Sequence, residues 1–558
     1  MKFFVVFVWL FFILLCYPGF SQLPELTRGP YLNMGTTSSM VIHWRTDSTL
    51  IPVDTRVWYG TVLDTSQMIV IDDPTLTYDH VIHLSSLSAT TKYFYAIGTS
   101  NHLLHGPDSN LYFKTSPPIG AKELVRIWAI GDFGEGNTGQ LAVRDGYKAF
   151  LNKRHTDVWL FLGDNAYDDG RDTEYQSYVF DIYPEVFQNT VVWPTPGNHD
   201  YGSNYPVISL GADPYFNIFS MPTNAEAGGF PSGNEGYYSF DYGNVHFISL
   251  NSEDYVYSID IINQSIDIDH NPSMVTWLEN DLAANTNKDW IIAYWHQPPY
   301  SRGTHTETNS AWSYVDGLIM RTMRDEIVPI LEAGGVDLVL SGHSHSYERS
   351  FYVHGNYGSS SPYAPDSTMV DGSTGSAVAG TPYIKLSSGI HANKGTVYSV
   401  VGSSSKTGNL SSDYQLDHPL MCKGAYELGS LVLEVEDNTL TGFFIDTTGN
   451  VFDDFSIIKG GTAGHNDDFK ASIVNLSIHP NPFTNKIIVS YDQLINAKIT
   501  INIVNMQGQI VGGVLPNNHN PGKHYLETDT GQLGIKPGNY IIQVKSNHQL
   551  LNQWTIKL

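Results

Sequence analysis

Hydrophobic and polar positions change their pattern along the chain, and the first pattern covers residues 22–118. Here short runs such as 39–44 and 92–97 mix apolar, aromatic and polar side chains, and turns rich in Gly, Pro, Ser and Asp separate them. Regularly spaced short strands with frequent turns are typical of an antiparallel β-sandwich. We therefore expect a β-sandwich over 22–118, closed by the stiff pair Pro117 and Pro118.

A second pattern begins at residue 124, where apolar runs of strand length alternate with segments of helical periodicity. The predicted strands are 124–130, 157–162, 191–194, 245–250, 290–295 and 336–340, and the predicted helices are 143–152, 174–187, 274–284 and 318–332. Such alternation predicts a layered α/β domain, which we place at 122–460. Its Gly- and Ser-rich stretch 357–381 predicts a long surface loop.

The last pattern, over residues 472–558, again consists of short strands and turns and predicts a small β-sandwich.

At the N-terminal end of the chain, Lys2 precedes an apolar run at 3–15 and a stretch ending in small residues. This order predicts a cleaved signal peptide over 1–21. The alternative is a membrane anchor, but the run is shorter than the ~20 apolar residues that a bilayer requires, so we expect no membrane span.

Length and charge narrow the possible functions. A chain of 558 residues is too long for one core, which predicts several domains. The formal net charge of -26, from 56 acidic and 30 basic residues, argues against a nucleic-acid partner. A small phosphorylated substrate stays possible where bound metals supply positive charge. Cys16 lies within the predicted signal, so Cys422 would be alone and we expect no disulfide.

Candidate chemistry is concentrated in a series of short motifs that place Asp, Tyr, Asn or His beside Gly or after a predicted strand. The motifs are Gly131-Asp132-Phe133-Gly134, Gly163-Asp164-Asn165-Ala166-Tyr167, Gly197-Asn198-His199-Asp200, Trp295-His296-Gln297-Pro298 and Gly342-His343-Ser344-His345. Ligands at successive strand ends gather along one sheet edge. Two metal ions ~3.5–4 Å apart need a bridging carboxylate and further single ligands, which predicts a dinuclear site bridged by Asp164.

This ordered set resembles the metallophosphoesterases over 124–458, and Tyr167, three residues after Asp164, makes it similar to the purple acid phosphatases. The run from Gly342 to Arg349 also resembles that family, and a preceding fibronectin type III-like domain is typical of it. The resemblance implies a dinuclear centre. Its ferric ion would bind Asp132, Asp164, Tyr167 and His345, and its divalent ion (Zn, Fe or Mn) would bind Asp164, Asn198, His296 and His343.

Tyr167 has a chemical reason to hold the ferric ion. A trivalent ion beside a phenol lowers its pKa from a usual value of ~10, so that the phenolate binds at neutral pH. The alternative is a packing aromatic residue in a chain that contains 34 tyrosines.

The resemblance also implies roles for two histidines that bind no metal. His199 would bind substrate or donate a proton, and His305 would be a second such residue, although it could equally be a solvated loop histidine. A metal-bound hydroxide would attack the phosphate ester in line while imidazolium groups protonate the leaving alcohol.

The C-terminal unit resembles the sorting domain of the type nine secretion system. Three segments carry this likeness: Ile478 to Phe483, Asn505 to Ile510 and Gly538 to Val544. It implies secretion or attachment at the cell surface, with the secretion machinery as a partner. The alternative is a sandwich that binds carbohydrate or another partner.

Together these patterns predict a secreted acid phosphatase that hydrolyses phosphate monoesters at a dinuclear metal centre. A phosphodiesterase or nucleotide pyrophosphatase on the same metal core is the nearest alternative, because the core serves both reactions. A non-catalytic surface adhesion protein is the third possibility. An adhesion protein would not need metal-binding residues at every ligand position of the motifs. All of these positions hold such residues, which argues against this possibility.

Overall fold

The computed structural model describes most of the chain beyond the predicted signal peptide, which lies outside the described residues. The described ranges are 23–202, 212–260, 265–306, 314–357, 368–388, 392–410, 415–460, 473–493, 497–505, 509–519, 522–545 and 550–558. Within these ranges no helix combines the length and apolar character needed to cross a bilayer.

Residues 26–114 form eight strands in two sheets. The strands are β1 Leu26–Asn33, β2 Met40–Thr46, β3 Val53–Gly60, β4 Ile69–Thr77, β5 Asp79–Leu84, β6 Lys92–Gly98, β7 Leu103–His105 and β8 Tyr112–Lys114, with a 3-10 turn at Thr65–Gln67. One sheet contains β1, β2 and β5, and the other has the order β4-β3-β6-β7, with β8 also paired to β6. The strands expected from the alternating pattern are confirmed.

The central residues alternate strands and helices, as predicted. The strands are β9 Val125–Ile130, β10 Val158–Leu162, β11 Val191–Thr195, β12 Tyr238–Tyr242, β13 Val245–Ser249, β14 Tyr255–Asp260, β15 Ser265–His270, β16 Trp290–Tyr294, β17 Leu338–Ser341, β18 Tyr347–Ser350, β19 Tyr352–Val353, β20 Met369–Asp371, β21 Tyr383–Lys385, β22 Val397–Val401, β23 Met421–Ala425, β24 Gly429–Glu436, β25 Thr439–Asp446 and β26 Val451–Lys459. The helices are α1 Thr138–Leu151, α2 Asp172–Glu174, α3 Pro184–Phe187, α4 Asp213–Ile218, α5 Pro272–Ala284, α6 Tyr314–Thr322 and α7 Val328–Ala333; π-helical turns span Tyr175–Phe180 and Met323–Ile327, and a 3-10 turn spans Asn198–Tyr201.

Two predictions for this region need correction. The helix predicted over 174–187 is three short pieces, α2, the π-helical turn and α3, because Pro184 cannot continue a helix that precedes it. Residues 358–367 of the loop predicted over 357–381 lie outside the described residues, and its described part contains β20, which pairs antiparallel with β19.

Two mixed sheets form the centre of the molecule. The larger has the order β21-β26-β25-β24-β9-β10-β11-β1-β2-β5, and the smaller has the order β12-β13-β16-β17-β22-β18-β23. In the first, β9, β10 and β11 run parallel, and in the second, β13, β16, β17 and β22 do. Parallel neighbours end at the same sheet edge, so the residues that follow them lie close together.

The N-terminal strands share a sheet and a hydrophobic core with the central region. Leu32 of β1 is the parallel partner of Val191 in β11. The Tyr31 ring packs against Phe180, with ring centroids 4.8 Å apart, and against Phe219 at 6.4 Å. Burial of these aromatic rings holds the N-terminal strands against the segment that follows the Tyr167 motif.

The C-terminal residues form two sheets around their own apolar cluster. The strands are β27 Ile473–His479, β28 Lys486–Gln493, β29 Ala497–Asn505, β30 Ile510–His519, β31 Gly522–Asp529, β32 Gly538–Lys545 and β33 Leu550–Lys557. Their orders are β27-β28-β31 and β30-β29-β32-β33. Ile487, Ile542 and Val544 are buried at the centre of this cluster.

A buried ion pair joins the two central sheets beside the last metal-ligand motif. Arg349 of β18 donates from Nε to Asp453 Oδ2 at 2.7 Å and from Nη2 to Oδ1 at 3.1 Å. Its side chain is 1% exposed, and Nη1 donates to the Thr374 carbonyl oxygen at 2.8 Å. Asp453 lies in β26, so this pair fixes the strand after His345 to the other sheet.

We expect Arg349→Met to destabilise the protein by about 3–5 kcal/mol, because it leaves the Asp453 carboxylate buried without its partner. The free energy of unfolding in urea, followed by tryptophan fluorescence, measures the effect. Arg56→Met is the matched control, since Arg56 makes the same two-pronged contact with Asp72, whose side chain is 48% exposed. We expect that change to cost less than about 1 kcal/mol. Equal losses in both variants would contradict the proposed role of burial.

Candidate metal centre

The candidate site lies where parallel strands of both sheets end. Asp132 follows β9 and Asp164 follows β10, and these strands pair side by side. His296 follows β16 and His343 follows β17, which are also parallel neighbours. The backbone turns sharply at three of these positions: φ is 55° at Asp132, 50° at Asp164 and 65° at His343. Left-handed backbone conformations at these positions end the strands instead of continuing them.

Glycines of the motifs allow the backbone to approach the candidate ligands closely. A Cβ added at Gly342 would lie 2.5 Å from Asp132 Oδ2, and one at Gly197 would lie 2.4 Å from Asp164 Oδ1. At Gly163, where φ is 85°, a Cβ would lie 2.5 Å from His296 Nδ1. Any side chain at these positions would therefore displace a candidate ligand.

One group of side chains surrounds the Tyr167 hydroxyl. This hydroxyl lies 3.0 Å from Asp132 Oδ1 and 2.9 Å from Asp164 Oδ2. His345 Nε2 lies 3.5 Å from the same Asp132 oxygen. The His343 amide donates to Asp132 Oδ2 at 2.7 Å, which fixes the carboxylate. The structure thus brings together the four residues expected on the ferric ion.

A second group surrounds the other oxygen of Asp164. Asp164 Oδ1 lies 3.2 Å from His296 Nε2, which in turn lies 3.2 Å from Asn198 Oδ1 and 3.3 Å from His343 Nδ1. The ligand atoms of Asp164, His296 and His343 all lie within 4.8 Å of one another, an arrangement that could hold a metal ion. His296 Nδ1 lies 2.9 Å from the Leu162 carbonyl oxygen, so Nε2 is the nitrogen left for a metal.

The pKa values of these side chains reflect burial and close charges. Burial, followed by the charges of Asp132 and Asp164, holds the pKa of Tyr167 well above its usual value. Burial alone would raise the pKa of Asp164, but His296 and His199 hold it well below its usual range. Burial opposes a charged His296, yet Asp164 raises its pKa to about 10. A bound cation would take over this role from the protonated imidazole and would favour the tyrosinate.

The donor atoms suit the expected pair of metal ions. Carboxylate and phenolate oxygens are the hard ligands that a ferric ion prefers, and imidazole and amide groups with a carboxylate accept Zn, Fe or Mn. Asp164 presents one oxygen to each group, an arrangement that suits a bridging carboxylate. The side chains therefore fit the dinuclear centre implied by the sequence.

The two histidines expected to act on substrate lie at the edge of these groups. His199 Nδ1 lies 2.6 Å from the Asp168 carbonyl oxygen, and Nε2 lies 3.9 Å from Asp164 Oδ2. The side chain of His199 is 27% exposed. The ring of His305 lies 4.0 Å from that of His343 and 5.7 Å from that of His345, measured between centroids.

Sequence reasoning did not single out two residues that support the site. Asp200 is buried and accepts hydrogen bonds from the Gly197 amide at 2.8 Å and the Tyr175 hydroxyl at 2.5 Å, and burial raises its pKa to about 6. Asp200 is the last residue of the motif that begins at Gly197, and this position was the one sequence signal that could have marked it. Lys406 Nζ lies 3.7 Å from the centroid of the Tyr167 ring, and no motif in the sequence marked it.

Comparison with known families agrees with this geometry. Residues 125–347 match the family described as calcineurin-like phosphoesterase, which covers the motifs from Asp132 to His345. The chain contains a metallophosphoesterase domain. Residues 477–557 match the secretion system C-terminal sorting domain. Both matches confirm the resemblances inferred from the motifs, and the second indicates export to the cell surface or the extracellular space.

Similar proteins include purple acid phosphatases from plants. Purple acid phosphatase 22 of Arabidopsis thaliana is 27% identical over 50% of this chain and 55% of its own length. Purple acid phosphatase 18 of the same plant is 30% identical over 51% of this chain and 56% of its own. The chain thus spans about half the length of these relatives. Acid phosphatase type 7 of Mus musculus is 26% identical over 68% of this chain and 86% of its own.

Two solved structures share the fold. Purple acid phosphatase from yellow lupin (Lupinus luteus) seeds aligns with a TM-score of 0.58 and 17% identity, over 78% of this chain and 75% of that one. The structure of PhoD aligns with a TM-score of 0.52 and 13% identity, over 78% and 89%. The central metallophosphoesterase fold predicted from the sequence is therefore confirmed.

We expect Gly342→Ala to reduce bound metal and to lower kcat/KM by about 10²-fold, because a ligand displaced by ~1 Å costs that much. The methyl group would overlap Asp132 Oδ2. Metal content by elemental analysis and hydrolysis of a phosphate monoester measure the effect. Gly29→Ala in β1 is the control, because an added Cβ there has nothing within 4 Å. Full metal content in Gly342→Ala would contradict the close approach.

Proposed function

We propose that this protein is a secreted acid phosphatase that hydrolyses small phosphate monoesters at a dinuclear metal centre. The observation that carries the proposal is the position of Asp164. Its Oδ2 lies 2.9 Å from the Tyr167 hydroxyl and its Oδ1 lies 3.2 Å from His296 Nε2, so that one carboxylate faces both groups of candidate ligands.

In this proposal Asp132, Asp164, Tyr167 and His345 hold a ferric ion, and Asp164, Asn198, His296 and His343 hold a divalent ion. When bound, such a pair supplies positive charge for the phosphate oxygens and makes water a stronger acid. The amide of His199 donates to Asp164 Oδ1 at 2.8 Å, and that of His343 donates to Asp132 Oδ2 at 2.7 Å. These hydrogen bonds hold both carboxylates in place.

His199 is the proposed proton donor to the leaving alcohol. Because Nδ1 faces the Asp168 carbonyl oxygen, a proton there is held in a hydrogen bond and Nε2 is directed toward the site. Its partial exposure leaves room for a substrate. His305 is the second proposed residue of this kind, supported by the 4.0 Å between its ring centroid and that of His343.

The flanking units complete the proposal. We assign residues 22–118 to a fibronectin type III-like domain, 122–460 to the catalytic domain, 472–558 to the sorting domain, and 1–21 to a cleaved signal peptide. The two N-terminal sheets, with β1, β2 and β5 in one and β3, β4, β6 and β7 in the other, support the first assignment. The sorting domain makes the secretion machinery the expected partner.

We expect Asp164→Ala to lose both metal ions together, because the bridging ligand is removed from both groups. His199→Ala should keep both ions and lower kcat by about 10²–10⁴-fold, the usual contribution of a general acid. Elemental analysis and steady-state kinetics on the same preparations separate the two outcomes. Equal metal retention in the two variants would refute the bridge.

The substrate class requires its own measurement. We expect faster hydrolysis of a phosphate monoester than of a phosphodiester or a nucleotide pyrophosphate by the metal-loaded protein, compared by kcat/KM. Faster diester hydrolysis would favour the alternative enzyme class. A protein with two bound metals and no activity on any ester would overturn the proposal.

A further inference from the structure

A lysine ammonium group covers the ring of the proposed tyrosinate ligand. Lys406 Nζ lies 3.7 Å from the centroid of the Tyr167 ring, well within the ~6 Å over which a cation is attracted to an aromatic face. The Tyr167 side chain is buried, so little water screens this contact. Two carboxylates face the hydroxyl end of the same side chain. The ring of Tyr167 thus lies next to a positive charge, and its hydroxyl lies next to two negative charges.

The loop that carries Lys406 is fixed to the metal-ligand motifs on both sides of the lysine. Before it, the Ser405 hydroxyl donates to the Asp132 carbonyl oxygen. After it, the Gly408 amide donates to the His345 carbonyl oxygen at 2.9 Å. These bonds tie the loop to two of the proposed ferric ligands.

The ammonium group itself is held by an ion pair. Lys406 Nζ pairs with Glu135, which directly follows the Gly131-Asp132-Phe133-Gly134 motif. Asn137 donates from Nδ2 to the other Glu135 oxygen at 2.8 Å. The side chain of Lys406 is 28% exposed, so it is only partly free to move into solvent. The ammonium is thus positioned over the ring instead of being a mobile surface charge.

A fixed positive charge over a phenolate ring has a definite consequence. The negative charge of a phenolate spreads into its ring, where the ammonium stabilises it by Coulomb attraction. Stabilising the filled orbital of the phenolate widens the gap to an empty orbital of a bound ferric ion. The energy of the ligand-to-metal charge-transfer absorption therefore rises, which moves the band to shorter wavelength.

We propose that Lys406 is a positioning residue that stabilises the Tyr167 ligand through its ring and sets the energy of its charge-transfer absorption. This inference rests on the proposed function, because it needs a ferric ion on Tyr167. It adds a residue that lies outside every ligand motif, on a loop 239 positions after Tyr167 in the chain.

The test compares visible spectra of the full-length protein loaded with iron. We expect Lys406→Met and Lys406→Gln to move the absorption maximum to longer wavelength, because both remove the charge. Lys406→Arg should keep the maximum close to that of the unchanged protein, because a guanidinium also binds an aromatic face. Lys148→Met is the matched control, since Lys148 pairs with Glu185 at the surface of α1. That variant should leave the maximum unchanged.

The possible outcomes separate this inference from the proposed function. If the unchanged protein has the band and neither neutral variant moves it, the role of Lys406 is overturned while the ferric tyrosinate stands. If the unchanged protein binds ferric iron without a visible band, Tyr167 is not a ligand, so this inference fails together with the ferric ligand set of the proposed function. Iron content and urea midpoints, measured for every variant, identify a shift caused by metal loss or unfolding. If the absorption maximum moves in both neutral variants only because they have lost iron, while Lys406→Arg keeps both its iron and its maximum, the role is also overturned.

Discussion

The close approach of backbone turns at the ends of parallel strands is the constraint on which the rest of the site depends. Asp132, Asp164 and His343 adopt left-handed backbone conformations, which cost energy for residues other than glycine. Gly197 and Gly342 leave no space for a side chain beside the carboxylates. Only this crowding lets ligands from two sheets reach one small volume. The apolar strands before each turn, buried in the sheets, hold the turns in place.

The N-terminal strands extend this support to the histidine proposed to donate a proton. Arg28 and Arg45 both pair with Asp172, at 3.0 and 2.5 Å, at the start of α2. Two residues later the Glu174 carboxylate accepts the Asp168 amide at 3.0 Å. The carbonyl oxygen of that same Asp168 lies 2.6 Å from the His199 ring. Ion pairs and hydrogen bonds, joined through the backbone of α2, therefore connect β1 and β2 to the edge of the candidate metal centre.

Local charge explains how a strongly acidic protein could act on the anionic substrate proposed for it. Two buried carboxylates at the site, together with a formal net charge of -26, would repel a phosphate ester. Metal ions at the proposed centre would reverse the sign locally, and Lys406 adds a positive charge beside Tyr167. Carboxylates at the surface, such as that of Glu185, whose side chain is 69% exposed, favour solubility.

The sequence by itself determined the types of the ligands, their order and the strand or loop that carries each one. Local rules suffice for this, because an apolar run followed by a glycine turn specifies a strand end whatever lies elsewhere in the chain. The sorting domain was recognisable for the same reason, since its motifs are contiguous. Local patterns failed at 174–187, where Pro184 and a π-helical turn interrupt the predicted helix.

Only the tertiary structure decided which donor atoms meet. It brought Asp164 between Tyr167 and His296, joined the N-terminal strands to the central sheet through Leu32, and set Lys406 over the Tyr167 ring. Apart from the contact of Asp164 with Tyr167, whose residues lie three apart in the chain, these contacts join residues through packing of separate sheets and loops, and sequence spacing carries no information about such distances. The types of the candidate ligands and the choice of Asp164 as the bridge were therefore readable from the chain, whereas the distances between the donor atoms and the charge beside the phenol were not.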